Sequence, residues 1–154
     1  MEMRVTFPGG KRVQAAFDGH IVATDQPLKS GGEDSAPGPF DLFLASLATC
    51  AGYFILAFCD ARGIPMDGIE LVQTVEKEVG TNRLVGVTIQ VRLPPTFPMS
   101  YRDAVLRAAD SCKVKKVLAV PPEIMVCLVN DDVPLPMPPS SRRLPVFIQD
   151  VTRH

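Results

Sequence analysis

The chain has 154 residues, enough for one domain with a substantial hydrophobic core. Its net charge is -1 and it contains no block of like charges, so the electrostatic footprint of a nucleic-acid-binding or anionic-lipid-binding protein is absent. The N-terminal residues contain neither an apolar signal region nor a small-residue cleavage site, and we therefore expect a cytoplasmic protein. Thiols are kept reduced there, so its four cysteines are not expected to form a structural disulfide framework.

Short strands are predicted from Val5 to Thr24. The segments RVQAAF and HIVAT flank Asp18-Gly19. Asp-Gly between two such segments is a strong signal for a hairpin, because both central residues of a type I′ turn need a positive φ. Residues 29–38 (KSGGEDSAPG) are then predicted to form a loop.

An uncharged run of 18 residues, Leu42 to Cys59, is predicted to lie in a long helix. Gly38 is the expected N-cap, Pro39 the first helical residue and Asp41 an acidic residue in the first turn. The segment from Arg62 to Pro65 marks the end of the helix, because it contains a basic residue, a glycine and then a proline.

This run has three interpretations: a membrane span, a core helix, or a helix that carries a reactive thiol at Cys50. Its length just reaches the minimum for a span. Ser46, Thr49 and Gly52 lie inside the run and no second span follows, so we expect no membrane association. A helix that is apolar on all sides is also expected at the centre of a larger assembly.

A second hairpin is predicted from Ile69 to Val79 and from Arg83 to Leu93, around Gly80-Thr81-Asn82. The second strand alternates strictly, which places one set of apolar residues on a single face: Val85, Val87, Ile89, Val91 and Leu93. Ser100 to Asp103 resembles a capping box that opens a second helix.

The C-terminal part is predicted to contain one more short helical turn and a last strand. Ser111 would cap the turn and place Cys112 at its first position, where unpaired N–H groups favour a thiolate. Glu123 to Val129 (EIMVCLV) is predicted to be a buried closing strand. We therefore expect an α+β domain over residues 1–132 and a Pro-rich, extended arm over residues 133–154.

Two of the four cysteines are candidates for chemistry. The thiolate is the reactive form, and a cysteine needs nearby positive charge or a helix N-terminus to lower its pKa. Cys112 is followed by three lysines within SCKVKK, whereas Cys50 would have to obtain such surroundings from elsewhere in the fold. Cys59 and Cys127 are predicted to be core cysteines.

Other kinds of site have little support in the sequence. His20 and His154 are the only histidines and no CxxC pair occurs, so no metal site is predicted. No G-x-S-x-G segment and no P-loop is present.

The segment GGEDSAPGPFDLFLASLATC, followed downstream by CKVKKVL, resembles the OsmC/Ohr family of bacterial hydroperoxide reductases, and most closely its broad OsmC-like branch. The resemblance runs from about Val5 to Val129. It implies an α+β, OsmC-like fold: an intertwined homodimer in which antiparallel sheets wrap around central apolar helices.

The resemblance also implies a thiol-dependent peroxidase. Cys50 matches the cysteine that attacks an organic hydroperoxide, Cys112 matches the resolving cysteine that forms a disulfide with it, and Arg12 is the nearest match to the arginine that activates the first thiolate. The cysteine pair replaces any cofactor, and a dithiol or lipoyl-type reductant would regenerate it.

The sequence departs from the family at the start of the long helix. Close relatives have a glutamate there that holds the arginine, whereas this chain has Phe40, followed by Asp41. Phe40 and Asp41, together with Phe43, Leu47 and Phe54, are the expected substrate-binding residues. The departure leaves a second interpretation open, a non-catalytic module of the same fold that binds a small hydrophobic ligand or senses redox state.

Overall fold

The structure is a computed structural model that describes residues 1–81 and 83–128. Residues 1–121 form one compact unit with the expected α+β content. Its elements are β1 (Arg4–Gly9), β2 (Arg12–Phe17), β3 (His20–Thr24), α1 (Pro39–Asp60), β4 (Glu70–Lys77), β5 (Leu84–Arg92), α2 (Arg102–Asp110) and α3 (Lys113–Ala119). The predicted boundary at residue 132 and the arm over 133–154 lie outside the described residues.

The first three strands form an antiparallel sheet in the order β1-β2-β3. Asp18 and Gly19 connect β2 to β3 with φ values of 46° and 80°, as a type I′ turn requires, and the predicted hairpin is confirmed. All six residues of β1 are exposed, including Val5 and Phe7. Apolar surface of this sheet is therefore left uncovered within one chain.

Helix α1 begins as the sequence predicts. Gly38 is its N-cap, Pro39 is its first residue, and the Asp41 carboxylate accepts the N–H of Gly38 at 3.0 Å. The helix stops at Asp60, and Gly63 follows in a left-handed conformation with φ 62°. The predicted start and the glycine stop are confirmed, but Arg62 follows the helix and does not lie in its last turn as predicted.

One stripe of α1 is buried: Leu47, Ala51, Ile55 and Cys59, spaced four residues apart. The remaining surface of the helix is still largely apolar, and Tyr53 is 63% exposed. Among the described residues, α1 is the one helix long and apolar enough to cross a membrane by length and composition, a test that core helices of soluble proteins also meet.

The hydrophobic core lies where α1 meets α2 and the β4–β5 sheet. Ile55, Cys59, Phe97 and Val105 are its buried members. The inner faces of β4 and β5 pack against them, and Cys59 is a core cysteine, as predicted. At the end of α1, the Arg62 guanidinium lies 3.8 Å from the ring centroid of Phe58.

The β4–β5 hairpin is confirmed, with one difference. Glu76 pairs with Gly86 and Lys77 pairs with Leu84, so Val85 is an extra residue in a bulge. Its side chain is 53% exposed, although strict alternation predicted that it would share the face of Val87. Asn82, in the predicted turn, lies outside the described residues.

The C-terminal segments differ more from the prediction. The chain makes a 3₁₀ turn over Met99–Tyr101 before α2, so Ser100 lies inside that turn and does not form the expected capping box. Ser111 ends α2, and the N-cap of α3 is Cys112, one residue later than predicted.

The predicted closing strand is wrong over its described part. Residues 123–128 form neither strand nor helix and are all exposed. Cys127 is therefore an exposed thiol and not a core cysteine.

Candidate active site

Cys50 and Cys112, 62 residues apart in the sequence, lie together where α1 meets the start of α3. Cys50 is half-buried in the uncharged run of α1 and directs its sulfur at the backbone of α3. Its Sγ accepts the N–H of Lys113 at 3.2 Å. The fold therefore brings the unpaired amides of a helix start to a thiol that has no charged neighbour in sequence.

These contacts favour the thiolate form of Cys50. The pKa of Cys50 is lowered from its ordinary value, first by the backbone N–H of Val114, then by the Cys112 thiol, the N–H of Lys113 and the positive charge of Lys113. Partial burial acts in the opposite direction but does not prevail. Cys50 is thus the more nucleophilic of the two thiols.

Cys112 has the opposite character. It is 3% exposed, its Sγ accepts the N–H of Lys115 at 3.5 Å, and the carbonyl oxygen of Leu47 lies 4.0 Å from it. Burial raises the pKa of Cys112. The neighbouring Cys50 sulfur accepts a hydrogen bond from the Cys112 thiol and raises this pKa further. The prediction that the helix start would favour a thiolate at Cys112 is wrong, because burial of the thiol outweighs the N–H groups of Lys115 and Val114, which act in the opposite direction.

Arg12 lies at the start of β2 and makes its ion pair with Glu33, with Nη1 and Oε2 2.9 Å apart. Within one chain the Arg12 guanidinium is therefore held by a carboxylate, and not by Cys50. Sequence reasoning missed Glu33, because no local pattern links residues 21 positions apart.

Asp25 organises the loop that carries Glu33. The carboxylate is 1% exposed and accepts hydrogen bonds from the N–H groups of Gln26, Glu33 and Ser35 and from the Ser35 hydroxyl. These bonds lower the pKa of Asp25 from 3.8 to about 2, with the Ser35 hydroxyl as the largest cause. A polar residue at a strand end was the only signal for this role in the sequence.

The five predicted substrate-binding residues separate into two groups. Phe43 and Leu47 line a cavity of about 350 Å³ that Cys112 also lines. The other three lie elsewhere. The Phe40 ring is 50% exposed and packs against Phe43, with centroids 5.5 Å apart; Asp41 caps α1; and the Phe54 ring lies against Tyr53.

The paired sulfurs can exchange a proton and can be joined by oxidation. Cys112 holds its proton next to a sulfur that favours the anionic form, so the pair combines a nucleophile with a nearby thiol. Oxidation of the pair to a disulfide would release two electrons, so the two thiols can act as a two-electron donor without an external group.

The comparisons with known proteins agree with the observed fold. A family model described as OsmC-like protein matches residues 32–126. No curated protein matches the chain. Solved structures share the fold.

Three of these structures come from different bacteria. A protein of Psychrobacter arcticus 273-4, named for osmotic stress induction and a detoxification response, is 24% identical with a TM-score of 0.63, over 74% of this chain and 85% of that one. An OsmC-like protein of Mycoplasma pneumoniae is 14% identical with a TM-score of 0.60, over 77% and 86%. An OsmC-like protein of unknown function from Vibrio cholerae is 13% identical with a TM-score of 0.52, over 75% and 90%. Because the family model spans more than half of the sequence and includes both Cys50 and Cys112, the chain belongs to the OsmC-like protein family.

Proposed function

We propose that this protein is a thiol-dependent peroxidase that reduces organic hydroperoxides, and hydrogen peroxide as a further substrate, through Cys50 and Cys112. The observation that carries the proposal is the Cys50 sulfur at 3.2 Å from the Lys113 N–H, beside a second thiol. A lowered pKa gives Cys50 more thiolate at neutral pH, and thiolates attack peroxides.

In the first step the Cys50 thiolate attacks one peroxide oxygen. A sulfur–oxygen bond forms, the oxygen–oxygen bond breaks, and the alcohol leaves after it takes up a proton. Cys50 is then a sulfenic acid. In the second step the Cys112 sulfur attacks the Cys50 sulfur, a disulfide forms, and water leaves with the Cys112 proton. A dithiol or lipoyl-type reductant returns the pair to two thiols.

In the proposed mechanism, Arg12 acts on the site of the second subunit of a homodimer. Its ion pair with Glu33 supports the idea that Glu33 supplies the carboxylate for which the matching helix position, Phe40, has no group. In an intertwined dimer, Arg12 of one subunit would reach Cys50 of the other and stabilise its thiolate. Phe43 and Leu47 would then receive the apolar part of the hydroperoxide, since both line the neighbouring cavity.

The test is consumption of cumene hydroperoxide in the presence of a dithiol. We expect Cys50→Ser to abolish turnover, and we expect Cys112→Ser to give a single oxidation without turnover. Cys127→Ser is the matched control, because that thiol is exposed and outside the site. After one equivalent of peroxide, mass spectrometry should find a Cys50–Cys112 disulfide. Equal rates for wild type and Cys50→Ser would contradict the proposal.

The cavity favours one second candidate, a module that binds a small hydrophobic ligand without turnover or that senses redox state. Its volume of about 350 Å³ lies within the range of small-molecule sites, and its walls are mostly apolar. Ligand binding that persists in Cys50→Ser, together with no peroxide consumption by wild type, would favour this candidate.

A further inference from the structure

Cys112 is the member of the cysteine pair that lines the cavity. The walls of the cavity come from α1, β5, α2 and α3, and they include Cys112 but not Cys50. Val87 and Ile89 of β5 form part of the apolar wall. Cys112 is almost fully buried, and among the described residues this cavity provides a route by which a small molecule can reach it.

Two charged residues are part of the cavity lining. Lys115 and Asp110 form an ion pair with each other, and both have exposed side chains. Because the two charges compensate each other and the rest of the lining is mostly apolar, the cavity suits an uncharged, apolar molecule.

The chemistry of a Cys50–Cys112 disulfide favours attack on the same sulfur. An incoming thiolate can bond to either sulfur, and it expels the other one. A thiol with a lower pKa leaves faster, and Cys50 is the cysteine that the N–H groups of Val114 and Lys113 stabilise as a thiolate. Attack on Cys112 therefore expels the better leaving group.

We propose that a small apolar dithiol enters this cavity and attacks the Sγ of Cys112. This inference rests on the proposed function and adds to it the route and the point of attack of the reductant. Cys112 would then react twice in each cycle, first with the oxidised Cys50 and then with the reductant.

The step is balanced as follows. One thiolate of the dithiol bonds to the Cys112 sulfur, the Cys50–Cys112 bond breaks, and Cys50 leaves as a thiolate. The second thiol of the dithiol loses its proton, and its sulfur attacks the first sulfur of the same dithiol molecule, the one bonded to Cys112. A cyclic disulfide is released, and Cys112 leaves as a thiolate that takes up a proton. The dithiol loses two electrons and the protein disulfide gains them.

The point of attack can be mapped without peroxide. Protein with Cys127→Ser, which removes the exposed thiol, is oxidised with diamide to form the Cys50–Cys112 disulfide. Benzyl mercaptan, an apolar monothiol that cannot complete the second step, is added briefly, and the mixture is quenched in acid and alkylated. We expect mass spectrometry to find the benzyl group on Cys112 and the alkyl group on Cys50.

The route can be tested by two substitutions on one strand. Val87→Trp fills part of the cavity, whereas Val85→Trp places the same side chain in the exposed bulge of β5, outside the cavity. With diamide-oxidised protein, we expect Val87→Trp to slow reduction by dihydrolipoamide roughly tenfold or more, as steric changes in apolar pockets do, and Val85→Trp to leave the rate close to wild type.

The outcomes separate this inference from the peroxidase proposal. A benzyl group on Cys50, equal rates for the two tryptophan variants, or no Cys50–Cys112 disulfide after diamide would each overturn the inference. The mapping experiment tests the attack on Cys112 even if Val87→Trp does not fold. If the benzyl group is on Cys112 but the protein consumes no peroxide, the inferred attack stands and the peroxidase proposal fails.

Discussion

Cys50 and Cys112 are the same residue type in contact, and their surroundings give them different chemistry. Cys50 faces backbone N–H groups, while Cys112 is buried and keeps its proton. The largest cause of the lowered pKa of Cys50 is the N–H of Val114, a group that every residue except proline has. The activation of this thiol therefore depends on the backbone more than on any side chain.

A single substitution can remove that N–H. Val114→Pro takes away the donor, and proline is tolerated in the first turn of a helix. We expect it to raise the pKa of Cys50 and to slow its alkylation by iodoacetamide at neutral pH. Val114→Ala keeps the N–H and is the matched control. An unchanged pH profile of Cys50 alkylation in Val114→Pro would contradict this account.

Asp25 makes the stability of the fold depend on pH. Because hydrogen bonds favour its ionised form in the folded protein, its pKa is lowered from 3.8 to about 2, and its stabilising contribution is present above pH 3.8 and is lost as the pH falls toward 2. We expect Asp25→Asn to lower the thermal midpoint at pH 7. Near pH 2 we expect the thermal midpoints of the variant and of wild type to differ by less than at pH 7. Asp34→Asn, the same change at an exposed position, should leave the midpoint nearly unchanged. Equal losses for both variants would contradict this role.

The residue-scale predictions from sequence succeeded only in part. Cys112 was identified from the lysines that follow it and Cys50 from its place in the uncharged run and from the family resemblance, but which of them is activated depends on burial and on which amides face each sulfur. Glu33 was missed for the same reason, since its partner Arg12 lies on another segment. Asp25 was missed although its partners lie in the same loop, because the path of that loop does not follow from a local pattern. Contacts between distant segments leave little trace in a single sequence.

At the scale of elements, the loop over residues 25–37 is held by its backbone as well as by Asp25. Gly32 packs so closely that an added Cβ would lie 1.9 Å from the carbonyl oxygen of Gln26. The atom in the way is backbone, which cannot rotate aside. The loop therefore requires glycine at this position. Because Glu33 lies in the same loop, its position depends on this glycine as well.

Gly32→Ala is expected to destabilise the protein by about 1–3 kcal/mol, the usual cost of forcing atoms into filled space. Gly52→Ala is the control: its added Cβ would lie 3.9 Å from Leu71, an ordinary contact, and alanine favours the helix. We expect Gly52→Ala to change stability by less than about 1 kcal/mol. Urea unfolding measures both variants, and a neutral Gly32→Ala would refute the close packing.

Elements with local signals were predicted well, and those that depend on a partner were not. The Asp18-Gly19 turn, the start of α1 and the glycine stop after α1 follow from the conformational preferences of a few adjacent residues, and all three are confirmed. The apolar segment at 123–128 was predicted to be a strand from composition alone. A strand also needs a neighbour to pair with, and composition does not reveal one.

At the scale of the whole molecule, one chain leaves much apolar surface uncovered. Tyr53 and Leu56 of α1 are 63% and 41% exposed, and Phe7 of β1 is 78% exposed. Large exposed apolar side chains in such number are typical of an interaction surface. It supports the proposed homodimer, in which α1 and the N-terminal sheet would be covered by a second copy.

A charge on the exposed face of α1 tests the dimer. We expect Leu56→Asp to shift the sedimenting mass from twice 16.7 kDa toward 16.7 kDa, because an unpaired carboxylate would be buried at the interface. Val79→Asp adds the same charge at a position that is 97% exposed in the β4–β5 hairpin, and we expect it to remain dimeric. A monomeric wild-type protein would contradict the proposal.

The N-cap of α3 links the covalent state of one sulfur to the order of a helix. The Sγ of Cys112 accepts the N–H of Lys115, and in a disulfide with Cys50 this sulfur must turn toward its new bond. The first turn of α3 then loses its side-chain cap. We expect the amide hydrogen of Lys115 to exchange with solvent faster in the oxidised protein than in the reduced one, with the amide of Ile55 as an unaffected reference. Hydrogen exchange at one backbone position would thus follow the redox cycle without a dye, a label or an added substrate.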